Sequence, residues 1–567
     1  MDQTCTDMIY SEEYFNLLVE INRYTDLSQL FPNSCTIEAS TTHTVVYTPV
    51  STLPPNILQS YGYGAIPNCY ALLDNASLEA SGVTRIQNIP ALNLRGQGVL
   101  IGIIDTGIDY INNAFRYEDG TTKIISIWDQ TIRSENAMPK DLYYGTEYTQ
   151  EQINQALQNE DPLSIVPTVD ENGHGTILSG IIVGSRNQEN NFSGVVPDAN
   201  LVVVKLKPAK TNIKDFFAIP PDSVCYQEDD IMLAIRYLGI VSQIQERPMS
   251  ICIGLGTSQG GHDGRNPLST FVNRAADYPG NAFAIAAGNE GRRRLHYFGT
   301  IDPRVRDETL ELNVGEGEYG FSMELWGNTP SSFSFDLTSP SGEYIPRIPA
   351  RLGASGEIRF IFEPTVISYD YQLIEAETGD ELILFRFRNP SPGIWRFRIY
   401  AAGTQVSYFH MWLPIHDFLR GNTFFTVSDP DTTITTPGNT QVPMVVTAYD
   451  TSNQSLYLEA SRGYTRNNMI VPTFAAPGVN VIAPGLNNEF VTVSGTSVAA
   501  AHVTGLAAII LEWGVVRGNN TFMDSQNIKN LLIRGSREIP NITFPNREWG
   551  YGIVDLYNTF ITLRGTS

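Results

Sequence analysis

Cysteine is scarce in this chain. Five occur in 567 residues, Cys5, Cys35, Cys69, Cys225 and Cys252, and none stands in a CxxC pair. An odd number at wide spacing argues against a disulfide framework or a thiolate zinc site, so reduced, mostly buried thiols are expected. No run of about 18 apolar residues is present, which excludes an ordinary membrane-spanning helix as an expectation. The N-terminus, MDQTCTDMIYSEEYF, has neither the basic start nor the apolar core of a secretion signal. The expectation is a protein made in the cytoplasm that stays inside the cell or reaches its site without the general secretory route. Basic residues are also in the minority, 37 against 60 acidic, for a formal net charge of −23. Phosphate surfaces would repel such a chain, so neither nucleic acid nor an anionic membrane is an expected partner. The excess of acid fits either basic partners or simple solubility, and solubility is the plainer reading.

The hydrophobic share, 42%, is that of a soluble globular protein. The length predicts two to four domains. Residues 1–80 read as a mixed segment: a helix over Ser11–Ile21, then short strands over Thr44–Pro49 and Ala65–Leu73. Beyond it, apolar runs alternate with helical stretches. Val99–Ile104, Leu201–Leu206, Ile251–Ile253 and Ala282–Ala287 read as buried strands. Ile231–Ile244 reads as a helix, with Asp229 and Asp230 at its cap and first turn. This predicts an α/β unit, a mostly parallel sheet with helices on both faces. Between about 298 and 434 the pattern becomes β-like, with strands over Ser331–Leu337, Ile358–Phe362, Leu382–Arg388 and Trp395–Tyr400. An all-β, jelly-roll-like sandwich is expected there, inserted into the α/β unit. That unit therefore occupies 81–297 and resumes over 435–567.

Three short motifs carry chemistry. Gly102-Ile-Ile-Asp105-Thr-Gly-Ile-Asp109 places a carboxylate at the end of a buried strand, where functional crevices of α/β sheets lie. Alone it also fits a simple Asx turn. Asn172-Gly-His174-Gly-Thr176 sets a histidine between glycines at a helix start. Ser494-Gly-Thr-Ser497, followed by Val-Ala-Ala-Ala-His502, opens a small-residue helix with a serine at its positive end. Alone, Ser497 reads equally well as an N-cap. His502 reads as a packed helix residue.

Together, Asp, His and Ser in this order resemble the subtilase arrangement of serine endopeptidases. Ala286-Ala-Gly-Asn289-Glu-Gly291 matches the family's oxyanion asparagine. Gly254-Leu255-Gly256 matches its substrate-lining edge, and Ala475-Ala-Pro-Gly478 and Trp549-Gly-Tyr-Gly-Ile-Val-Asp555 match further landmarks. The resemblance implies Ser497 as nucleophile, His174 as base, Asp105 as its orienting partner and Asn289 as oxyanion donor. It implies a protein substrate and no cofactor. It also makes residues 1–80 a prodomain, a folding assistant and inhibitor that stays bound in the active site, with autocleavage near Asn75–Gly82, before Val83.

Several departures stand out. Asp105 and His174 lie 69 positions apart, and surface loops over about 113–168 are expected to absorb the excess. Val498 and Ala501 replace the family's usual methionine and proline after the nucleophile. The Asn190–Gly194 loop is short and Ile111–Phe115 lacks an acidic residue, so no calcium or other metal site is expected. The insertion, the missing secretion signal and Gln259-Gly-Gly-His262-Asp-Gly264 resemble the clostridial spore-germination (Csp-type) subtilases. That resemblance implies a spore-incorporated protease that activates the zymogen of a cortex-lytic hydrolase. The alternatives are a general degradative subtilase and a pseudoprotease acting as a sensor or binding partner.

Overall fold

The computed structural model describes residues 3–21, 26–72 and 93–563. After a helix over Gln3–Tyr10, the N-terminal segment builds a sheet from Tyr14–Glu20 (β1), Cys35–Glu38 (β2) and His43–Pro49 (β3), in the order β1-β3-β2. The helix expected over Ser11–Ile21 is thus a strand. Its sequence, YFNLLVE, alternates no more cleanly than a helix would. Antiparallel pairing of all seven residues with β3, from Tyr14 with Pro49 to Glu20 with His43, decides the matter. Cys5 and Cys35 are joined in a disulfide, with Cα atoms 5.4 Å apart, which corrects the expectation of reduced thiols. The 30-residue separation conceals that the first helix and β2 are neighbours. Cys69, Cys225 and Cys252 are free and buried. The segment continues to a strand over Cys69–Leu72 (β4).

The α/β unit is organised around a sheet in the order β25-β24-β12-β10-β5-β8-β6-β7. Its strands are Leu100–Asp105 (β5), Ile124–Asp129 (β6), Thr146–Thr149 (β7), Asn200–Lys205 (β8), Met249–Ile253 (β10), Asn281–Ala286 (β12), Met444–Tyr449 (β24) and Phe474–Pro477 (β25). All neighbours pair in parallel except β6 with β7. Nearly every residue of β5, β8, β10 and β12 is buried, as continuous apolar runs covered on both faces require. The region 113–168 does not form surface loops alone. The apolar run Ile124–Trp128 enters the central sheet beside β8, β7 closes its edge, and a helix follows over Gln150–Leu157. The buried helix Thr496–Leu511 packs against β10, β12 and β24, so its apolar surface is spent inside the protein.

The inserted part is a β-sandwich. One sheet orders His296–Ile301 (β13), Ser407–Trp412 (β22), Gly320–Gly327 (β15), Glu381–Arg388 (β20), Val366–Gln372 (β19) and Ser355–Arg359 (β18). The other orders Tyr344–Ile348 (β17), Ser332–Thr338 (β16), Gly393–Ala402 (β21), Asp307–Val314 (β14) and Phe424–Phe425 (β23). Aromatic residues such as Phe335, Phe385, Trp395 and Phe397 fill the space between them. A further apolar cluster joins all three parts: Phe15 and Tyr63 of the N-terminal segment, Ile213 and Phe217 of the α/β unit, and Trp326 and Trp412 of the sandwich.

Candidate active site

Asp105 ends β5 with no exposed surface. The Thr106 N–H donates to its Oδ1 at 2.8 Å, which holds the carboxylate at the strand end. His174 begins the helix His174–Val183. The residue before it, Gly173, has φ +93°, a left-handed turn that glycine adopts without penalty. Asp170 organises this entry. Its Oδ1 accepts from the N–H groups of Asn172 and Gly173, and its Oδ2 from Thr176 N–H and hydroxyl, at 2.7–3.1 Å. Gly175 joins the two motifs, since its N–H donates to Thr106 Oγ1 at 3.0 Å. A Cβ there would strike the Gly107 carbonyl oxygen.

The result is a tight constellation. His174 Nδ1 lies 2.8 and 2.9 Å from the two Asp105 oxygens, and Nε2 lies 3.3 Å from Ser497 Oγ. Residues 69 and 323 positions apart in sequence meet in one hydrogen-bonded row. Ser497 is the second residue of its helix, at the positive end of the dipole. Asn289 follows β12, and its Oδ1 accepts from Thr496 N–H (3.3 Å) and hydroxyl (3.0 Å). Those contacts leave donation to Nδ2. Chemically, the row can withdraw a proton from Ser497, and the asparagine can donate to an oxyanion. His502 is buried one turn further on, where desolvation lowers its pKa to about 3, so it is a neutral packing residue.

A model of the family described as the subtilase family matches residues 96–311 and 420–552. The chain belongs to the subtilase family. A curated relative of this subtilase, a subtilisin of Bacillus sp. (strain TA39), is 26% identical over 226 residues. That match spans 40% of this chain and 42% of the relative's length. Among solved structures, the CspB protease of Clostridium perfringens is similar over 86% of this chain and 97% of its own, with 29% identity and a TM-score of 0.76. The Csp-type resemblance thus extends over the sandwich as well as the α/β unit.

The edge Gly254-Leu255-Gly256 of this subtilase is already paired. Leu255–Gly256 (β11) lies antiparallel to β4 of the N-terminal segment, with Leu72 opposite Leu255 and Ala71 opposite Gly256. The other side of β4 pairs with Tyr226–Gln227 (β9), Tyr70 opposite Tyr226 and Cys69 opposite Gln227. Residues 69–72 therefore fill an extended lane between two catalytic-unit edges. Gly254, next along the lane, lies against the triad: a Cβ on it would sit 3.2 Å from His174 Cε1 and from Ser497 Cβ. The second edge, β9, and the organiser Asp170 were not read from the sequence. Asp170 had a local signal, a carboxylate four residues before the histidine in a glycine-containing turn. The two-residue edge β9 had none. Asp229 and Asp230 both lie in the first turn of the helix Glu228–Gln245, and the N-cap position is held by Gln227, whose side chain makes no capping hydrogen bond. Both are buried, and Asp229 Oδ2 accepts from Asn16 of the N-terminal segment at 2.6 Å.

Proposed function

We propose that the chain is a serine endopeptidase, held in check by its own N-terminal segment, that activates a cortex-lytic hydrolase zymogen during spore germination. The row Asp105–His174–Ser497 carries the reading. Ser497 attacks the scissile carbonyl as His174 takes its proton. Asp105 keeps His174 in the tautomer with Nδ1–H and stabilises the imidazolium. Asn289 Nδ2 and the Ser497 N–H bind the tetrahedral oxyanion. His174 then protonates the leaving amine, and water repeats the sequence on the acyl-enzyme.

The occupied lane supports the inhibitory role of residues 1–80. For the chain itself, cutting is expected in the Asn75–Gly82 window. That window lies outside the described residues. The zymogen-activating role and a place in the spore rest on the resemblance to the Csp-type subtilases.

Purified wild-type protein is expected to carry a new N-terminus within the Asn75–Gly82 window, absent from Ser497→Ala. It is also expected to cut a cortex-lytic zymogen at one bond while leaving denatured casein largely intact. A wild-type chain that stays at full length, like the variant, would sink the peptidase reading. Fast casein digestion would favour a degradative enzyme instead.

A further inference from the structure

Two of the three free cysteines face each other across the junction between the N-terminal segment and the α/β unit. Cys69 opens β4, and Cys225 directly precedes β9, the strand that β4 pairs with. Successive residues of an extended strand point to opposite faces. Tyr70 and Tyr226, opposite each other in the register, join the core of the α/β unit. Cys69 and Cys225 turn the other way and meet in the apolar cluster beneath the sandwich, with Phe217 and Trp326. Neither thiol has exposed surface, and the two hydrogen-bond to each other.

The pair is chemically asymmetric. The S–H of Cys69 on Cys225, helped by the charge of Lys214, lowers the pKa of Cys225, whereas that bond and burial raise Cys69. Lys214 is fixed nearby, its ammonium donating to the carbonyls of Ser223 (2.8 Å) and Pro221 (3.0 Å). Cys225 is therefore the thiolate-forming member and Cys69 its proton donor. Val224, one residue away, is 56% exposed, so Cys225 lies just beneath the surface. Cys252 is the contrast: burial pushes its thiol up to about 12, and it sits in the sheet without a second cysteine in its cluster.

We infer that Cys69 and Cys225 are an oxidative modification site, at which a disulfide ties the N-terminal segment covalently to the catalytic unit. The oxidant is a small peroxide. The Cys225 thiolate attacks one peroxide oxygen, the O–O bond breaks, and Cys225 sulfenic acid and hydroxide result. The hydroxide takes the Cys69 proton and becomes water. The Cys69 thiolate then attacks the Cys225 sulfur and expels its hydroxide, which leaves as a second water with the proton Cys225 released on ionising. Two thiols lose two electrons, and one peroxide is reduced to two waters. A thiol reductant reverses the link by exchange. The regulatory meaning rests on the peptidase reading above: a cut segment, otherwise free to leave, stays in the lane until reduction.

The test treats purified full-length Ser497→Ala protein, in which the segment stays uncut, with hydrogen peroxide. Remaining thiols are alkylated in denaturant and the peptides mapped by mass spectrometry. Two of the three free thiols should be lost, in one linked pair carrying Cys69 and Cys225, with Cys252 alkylated. Adding Cys225→Ala should abolish the pair and leave Cys69 alkylated, with thermal unfolding as the control for folding. Cys69 and Cys225 alkylated as fully as Cys252 after peroxide would overturn the inference. Wild-type protein that has cut itself should run at full length on a denaturing gel after peroxide and shed its N-terminal fragment only with reductant. A fragment shed from that sample without reductant would overturn the tether. If wild type stays at full length even when reduced, as Ser497→Ala does, while the linked pair forms, the peptidase reading fails and the modification site stands.

Discussion

In the proposed mechanism Asp105, His174, Ser497 and Asn289 divide the chemistry unequally, and single changes should reveal the division. Asn289→Ala removes a donor that matters only once the oxyanion forms. Turnover should fall about 100- to 1,000-fold, as it does in subtilisin, with KM nearly unchanged. Asp105→Asn keeps the shape but lets His174 adopt the wrong tautomer, with an expected loss of about 10,000-fold in kcat. Steady-state kinetics on one peptide reporter measures both, and a similar small loss in each would contradict the assigned roles. These four residues were legible because short motifs of fixed local geometry carry them: strand end, glycine turn, helix start. Asp170 and Thr496, which hold them in place, were harder to see, since an aspartate or threonine in a turn usually bonds nothing beyond its neighbours.

Elements meet at the site through backbone contacts that leave no room for side chains. The Asp105 loop and the His174 helix touch at Gly175, where a Cβ would strike the Gly107 carbonyl and lie 3.2 Å from Asp105 Cβ. Gly175→Ala should therefore wedge the two elements apart. The expected cost is about 1–3 kcal/mol of stability, read by thermal unfolding, with a fall in kcat that exceeds any change in KM. Normal kinetics in a destabilised variant would show that the wedge is absorbed elsewhere. Buried parallel strands were readable as apolar runs, because burial on both faces removes alternation. β1 reads as a helix in sequence, since seven mixed residues satisfy either period until a partner strand is known. β6 was overlooked for a related reason: a short apolar run in a long spacer becomes a central-sheet strand only when β8 pairs with it.

At the scale of the whole molecule, the sandwich, the α/β unit and the N-terminal segment share buried surfaces. Arg466, 2% exposed at its side chain, bonds Asp263 of the α/β unit at 3.2 Å and Asp380 of the sandwich at 2.6 Å. Beside it, Trp412 stacks with His262, His296 and His410, ring centroids 4.1, 4.9 and 5.0 Å away. Burial lowers the pKa of His296 to about 4 and takes His410 well below its usual value. The unfolded chain therefore binds protons at these two sites before the folded one does. Their contribution is intact above about pH 6.5 and is lost as pH falls toward 4. Each can add up to about 1.4 kcal/mol per pH unit to the slope in that window. Buried carboxylates oppose the trend: desolvation raises Glu228 and Glu381 to about 7, so they favour the fold as pH falls. A His296→Gln/His410→Gln double variant isolates the histidine part. Denaturant titrations between pH 6.5 and 4 should give a less acid-labile slope than wild type, and parallel slopes would refute the assignment.

The sequence by itself determined the family, the α/β pattern with a β insertion and the four candidate site residues, because each is written in a few contiguous residues whose local geometry is nearly context-free. Tertiary structure alone decided what lies far apart in sequence. It set the strand that fills the lane, the second edge that holds it, and the disulfide between Cys5 and Cys35. Those depend on pairing and burial between distant segments, and pairing energy is not a property of either segment alone.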